Sequence, residues 1–133
     1  MNMNKPLTRN QKLVLKALQQ ADGPLSAYAI LELLRDQGFR APLQVYRALK
    51  SLVEKGLAHR LESLNAFVAC SGDDCHRAGM TAFAICECCG QVSEFSDFVL
   101  RQRLEGWAQH EGFQASRSMV EIKGKCAACA HRP

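Results

Sequence analysis

Cys86, Cys89, Cys126 and Cys129 form two Cys-x-x-Cys pairs, the strongest chemical signal in the chain. One such pair can be a redox dithiol or half of a metal site. Two pairs, separated by enough chain for a helix and a strand, make a four-thiolate cage. That cage suits Zn²⁺, which imposes no geometry of its own and binds thiolate strongly. With all four positions filled by protein, the site is closed and structural rather than catalytic.

The remaining borderline ligands form a second set: His59, Cys70, His76 and Glu94. Imidazole, thiolate and carboxylate together give a tetrahedral Zn²⁺ site of low net charge. His59 and Cys70 fall on two short strand-like runs. If Leu64-Asn65 is a two-residue loop, the two side chains face each other directly, with Cβ atoms about 5 Å apart. Leu64 suits a primed turn badly, which leaves the register open. Cys75, Asp73 and Asp74 compete with His76 for the third position. A hairpin histidine is more often a polar surface residue, and Cys70 fits equally a small buried hydrophobe. Cys88 reads as a spectator inside the first pair, and His110 and His131 as surface residues. The set draws two ligands from the first half, one from the linker and one from the second half. A metal held there ties the two halves together, whereas the cage ties one half to itself.

A third cluster suits nucleic acid. On a helix running from Pro42 to Lys55, Leu43, Arg47, Lys50 and Glu54 point away from the apolar Val45/Leu49 stripe, and Tyr46 flanks it. Arg47 can fork onto guanine O6 and N7, a contact worth about 1–3 kcal/mol of base discrimination. Tyr46 can pack on a thymine methyl or bond a phosphate. Gln44, Lys50 and Ser51 would hold the helix on the backbone, and Arg60 on the hairpin would reach an adjacent phosphate. A charged helix face is usually only solvated, so this cluster gains its meaning from the elements around it.

Those elements are legible from end signals. Thr8 and Gln11 fit a capping box opening a helix with Leu13, Val14, Ala17, Leu18 and Ala21 at helical spacing. Ser26 caps a second helix that buries Ile30, Leu31 and Leu34 and stops near Gly38. Pro42 opens a third, closed by Gly56. Strand-like runs 57–62 and 66–70 follow. Three helices and a hairpin in that order make a winged helix-turn-helix. Beyond it, 82–86 and 91–95 read as strands joined at the first cysteine pair. Asp97 caps a helix with Leu100, Leu104, Trp107 and Ala108 on one face. A last strand, roughly 116–123, feeds the second pair. The expected fold class is therefore α+β. Residues 1–71 make a winged-helix domain, 72–79 a hinge and 80–133 a small zinc-stapled α/β domain.

Composition bounds the rest. The chain has 133 residues, seven cysteines, and 17 Lys and Arg against 13 Asp and Glu, a net charge of +4. A second domain of about 50 residues rarely buries enough apolar surface to fold without a metal or a partner. An odd cysteine count without a leading apolar segment points to metal-held thiolates in a reducing cytoplasm rather than to disulfides. No apolar run is long enough for a membrane span. No nucleophile–base arrangement supports an enzyme, and no small-molecule substrate is expected. Two other classes fit parts of the pattern: a thiol redox sensor, and a zinc-stapled adaptor without a DNA role.

Ser26-Ala27-Tyr28, Pro42 with Tyr46-Arg47-Ala48-Leu49, Gly56-Leu57, His59, residues 63–70 and Phe83-x-x-Cys86-x-x-Cys89-Gly90 with Glu94-Phe95 resemble the ferric uptake regulator family. Within it they look most like zinc uptake regulators. The likeness runs from about Leu7 to Cys129. It implies an N-terminal winged helix, a C-terminal dimerisation domain and metal-dependent repression by a homodimer on a pseudo-palindromic double-stranded operator. It maps a structural zinc onto Cys86, Cys89, Cys126 and Cys129. It maps a regulatory zinc onto His59, Cys70, a linker histidine taken as His76, and Glu94. It also implies zinc-uptake genes as targets. The histidine that iron-sensing members carry near the last cysteine pair is replaced by Gly124-Lys125, which weighs against iron. Iron, manganese and nickel sensing by the same family remain the nearest alternatives.

Overall fold

The structure, a computed structural model, describes residues 6–70 and 80–131. The expected hinge, 72–79, lies outside the described residues, as do Asp73, Asp74, Cys75 and His76. The chain divides into two compact units, Met1–Cys70 and Ser71–Pro133.

In the first unit, helix α1 spans Arg9–Gln20, α2 Ala27–Leu33 and α3 Pro42–Glu54. Thr8 and Gln11 close a reciprocal box at the start of α1: the Gln11 N–H donates to Thr8 Oγ1 at 3.2 Å, and the Thr8 N–H to Gln11 Oε1 at 3.1 Å. Ser26 Oγ accepts from the Ala29 N–H at 3.1 Å and starts α2. A short 3₁₀ turn, Arg35–Gln37, follows and ends on Gly38 with φ +95°, a conformation that costs glycine little. Val14, Ile30, Phe39, Val45, Leu49 and Leu52 meet in one buried core. This is the helical spacing of the sequence realised as packing.

Strands β1 (Ala58–Leu61) and β2 (Ala66–Ala69) make the wing. Their register pairs His59 with Val68 and Leu61 with Ala66, so the connection has four residues, 62–65. Asn65 takes the left-handed conformation, φ +48°. The expected two-residue loop is thus corrected. Leu64 is poorly suited to positive φ, and the chain uses Asn65 for that position instead. His59 and Cys70 are therefore diagonal neighbours on one face of the hairpin, not a directly opposed pair. Leu25 adds a bridge the sequence did not reveal, exchanging hydrogen bonds of 3.0 and 2.8 Å with Phe67 and pinning the wing to the helices.

In the second unit, β3 (Met80–Cys86), β4 (Val92–Phe95) and β5 (Ser118–Gly124) form a sheet ordered β4-β3-β5. β4 runs antiparallel to β3, and β5 runs parallel to it with Cys86 opposite Gly124. Central β3 buries residues on both faces, the mark of an interior strand. Helix α4, Phe98–His110, begins where Asp97 Oδ1 accepts from the Leu100 N–H at 2.9 Å. Its expected apolar face is largely exposed. Only Ala108 is buried, while Trp107 is 58% exposed. The short helix α5, Ala127–Ala130, closes the unit.

Candidate functional site

The parallel register of β3 and β5 creates the metal cage. Parallel strands end on the same side of a sheet, so the turn after Cys86 and the turn after Gly124 emerge together. After β3 the chain folds back over Glu87–Gly90. The Gly90 N–H donates to the Cys86 carbonyl at 3.0 Å, and Gly90 adopts φ +80°. The second pair wraps the first turn of α5, with Cys126 preceding that helix and Cys129 inside it. The Glu87 N–H ties the two turns together by donating to the Gly124 carbonyl at 2.7 Å.

Ligand atoms of Cys86, Cys89, Cys126 and Cys129 all lie within 4.8 Å of one another. The Cys89 and Cys126 sulfurs are 3.8 Å apart. A regular tetrahedron with metal–sulfur bonds of about 2.3 Å has edges of about 3.8 Å, the Cys89–Cys126 separation, so the four sulfurs lie close enough to converge on one zinc. Backbone N–H groups of Cys126 and Cys89 donate to Cys86 Sγ at 3.3 and 3.4 Å. These bonds, that of Cys126 first, bring the Cys86 thiol down to about 5. At Cys89 the Gln91 N–H favours the thiolate, but the neighbouring Cys86 sulfur opposes it, and the thiol is held up. Cys129 is held well above the usual thiol range by the Cys88 thiol beside it and by Cys126. Without a metal, the Cys86 thiolate forms readily while Cys89 and Cys129 resist. A divalent cation removes that conflict, and the four residues supply a staple between two turns. Cys88 is exposed and does not complete the four-sulfur set.

On the wing, His59 is buried, only 6% exposed. Its ligand nitrogen and the Cys70 sulfur lie within 4.8 Å of each other. Their shared face survives the change of register, because a four-residue connection moves Cys70 by a full two-residue period. As a zinc ligand Cys70 acts as its thiolate. Glu94 lies half-buried on β4 of the second unit.

Helix α3 presents the residues expected to meet DNA. Arg47 and Lys50 are exposed, Tyr46 is 39% exposed, and Gln44 and Ser51 are half-buried. Gln44 is already engaged at the helix start, its Oε1 accepting from Arg40 and Ala41 N–H at 2.7 and 3.0 Å. Arg60 is engaged within the wing, donating to Asn65 Oδ1 at 3.0 Å and pairing with Glu62 at 3.3 Å. The charge is unevenly divided: residues 1–70 carry ten Lys and Arg against five Asp and Glu, and residues 71–133 carry seven against eight. The first unit is thus +5 and the second −1, the asymmetry a polyanion-binding unit needs.

A basic winged helix joined to a sheet unit with four clustered cysteines defines the class of this protein. The chain belongs to the ferric uptake regulator family, whose sequence profile matches residues 3–123. That is a family of transcription regulators, not enzymes. The zinc uptake regulation protein of Escherichia coli (strain K12) is 37% identical over 127 residues, 95% of this chain and 74% of that protein. A solved structure of a zinc uptake regulator complexed with zinc and DNA is 36% identical, covers 96% of this chain and 85% of its own, and has a TM-score of 0.87. Holo XcZur is 37% identical over 95% of this chain and 87% of its own, with a TM-score of 0.84. Apo XcZur, equally identical over 96% and 87%, scores 0.50.

Proposed function

We propose that this chain is a zinc-responsive transcriptional repressor that binds a pseudo-palindromic operator as a homodimer and controls zinc-uptake genes. It uses two zinc ions per subunit. Cys86, Cys89, Cys126 and Cys129 hold one permanently. His59, Cys70, His76 and Glu94 hold the other reversibly. The observation that carries the reading is the approach of His59 and Cys70 on the wing, which builds metal ligands into the element beside the reading helix. Thiolate with imidazole favours zinc over harder ions.

The mechanism follows from where the ligands originate. His59 and Cys70 belong to the winged helix, Glu94 to the sheet unit and His76 to the segment between them. When all four engage one ion, each winged helix keeps a single angle, and the two reading helices of a dimer match half-sites about one DNA turn apart. When they do not, many angles are sampled and the competent fraction falls. A 100-fold loss of affinity needs about 2.7 kcal/mol between states. On DNA, Tyr46 and Arg47 read bases, with Lys50, Ser51 and Arg60 at the backbone. Homodimerisation is supported by the apolar residues that the second unit leaves uncovered, among them Phe98, Val99, Trp107, Phe113 and Ile122, each more than half exposed.

Cys70→Ser tests the reading. The variant is expected to fold and dimerise, to keep the cage zinc, and to lose zinc-dependent operator binding. An unchanged zinc titration of DNA binding would contradict it.

A further inference from the structure

Helix α3 starts without the side chain that normally caps such an end. Its N-cap residue is Ala41, extended at φ −135° and ψ 144°, with no side-chain acceptor to offer. Helix starts leave several N–H groups without partners, and Ser, Thr, Asp or Asn at this position would satisfy one. Here the acceptor comes from inside the helix. Gln44, at the third helical position, reaches back and takes the N–H groups of both Arg40 and Ala41 on one carbonyl oxygen. Pro42 has no N–H, and the Gln44 N–H donates to the Ala41 carbonyl at 3.1 Å. The first turn therefore offers a DNA phosphate at most the N–H of Leu43, and the usual anion-binding role of a helix start is largely closed.

The consequence lies in how the helix is aimed. Phe39 is anchored in the core at 1% exposure. The two residues after it lead into α3, and Gln44 stitches that lead-in to the first turn. Tyr46 and Arg47 stand in the turn that follows. We propose that Gln44 is a positioning residue for DNA recognition: its side-chain carbonyl fixes the start of α3 and thereby the presentation of Tyr46 and Arg47. This rests on the assignment of α3 as the reading helix, and it gives Gln44 a role other than contact with the DNA backbone.

Two substitutions separate capping from contact. Gln44→Met keeps the length and removes the acceptor. Gln44→Glu keeps the acceptor, removes the amide NH₂ and adds a negative charge. Both are measured as full-length zinc-loaded protein against a duplex selected from a randomised pool in the presence of zinc, and against a scrambled duplex. Amide hydrogen exchange at Arg40 and Ala41 is followed in parallel. In Gln44→Met those amides should exchange faster, and the ratio of selected to scrambled affinity should fall about tenfold, the size of a lost cap. In Gln44→Glu the amides should stay protected and the ratio should hold, while affinity for both duplexes drops together. A preserved ratio in Gln44→Met overturns the proposal. So does a ratio lost in Gln44→Glu as in Gln44→Met, since the amide would then touch DNA directly. Arg47→Ala in the same assay separates the two levels. If it leaves the ratio intact, α3 is not the reading helix. If it collapses the ratio while Gln44→Met does not, only the positioning role fails.

Discussion

Cys86 ionises more readily than an ordinary thiol because two N–H groups point at its sulfur. Its pKa in the folded chain, about 5, lies below the ordinary thiol value. The stability it contributes to the metal-free protein is therefore present at alkaline pH and declines as pH falls toward 5. Zinc uptake by the cage at pH 7 should release fewer than four protons, because Cys86 is already a thiolate. Calorimetry in buffers of different ionisation enthalpy counts them, and a release of four would show that the N–H bonds do not act as described. Spacing made the cage visible in the sequence, since four thiols in two pairs leave few other arrangements. The wing site was visible by type and not by register. His59 and Cys70 were placed on one face correctly and directly opposite wrongly, because nothing local announces that Asn65 will take the positive φ that Leu64 resists.

At the scale of elements, helix starts were legible where the N-cap residue's own side chain closes them: Thr8 with Gln11, Ser26 and Asp97 each accept the expected bond, whereas the closure of α3 by Gln44 was not. The α3 stripe was equally clear, with Val45 and Leu49 buried and Arg47 outward. Arg47→Ala is expected to lower operator affinity by about 1–3 kcal/mol and affinity for random duplex much less. Equal losses on both in a competition assay would make Arg47 a phosphate contact. Two features lay beyond local signals. The parallel pairing of β3 with β5 depends on a crossover rather than on any motif. The exposed side of α4 reads in sequence like any amphipathic face, because periodicity marks a surface for burial without saying which chain covers it.

Across the whole molecule, the second unit pairs a three-stranded sheet with exposed apolar residues, and on the proposed reading it needs both the cage and a partner copy to be stable. Cys126→Ala should unfold this unit and abolish the dimer. Zinc binding supplies on the order of 10 kcal/mol in small zinc-folded peptides, comparable to the entire stability of a domain. Sedimentation and far-UV circular dichroism read the result, and a folded dimeric variant would show the cage to be dispensable. The winged-helix unit, with its own core, should keep its helices in that variant.

The central claim is that a removable ion governs DNA binding while a permanent one holds the fold. Zinc content per subunit, measured at saturation and after mild chelation, with operator affinity measured in each state, tests it most directly. The account predicts two zinc ions falling to one, with affinity dropping about 100-fold while the dimer persists. A single zinc at saturation, with operator binding unchanged after chelation, would contradict it.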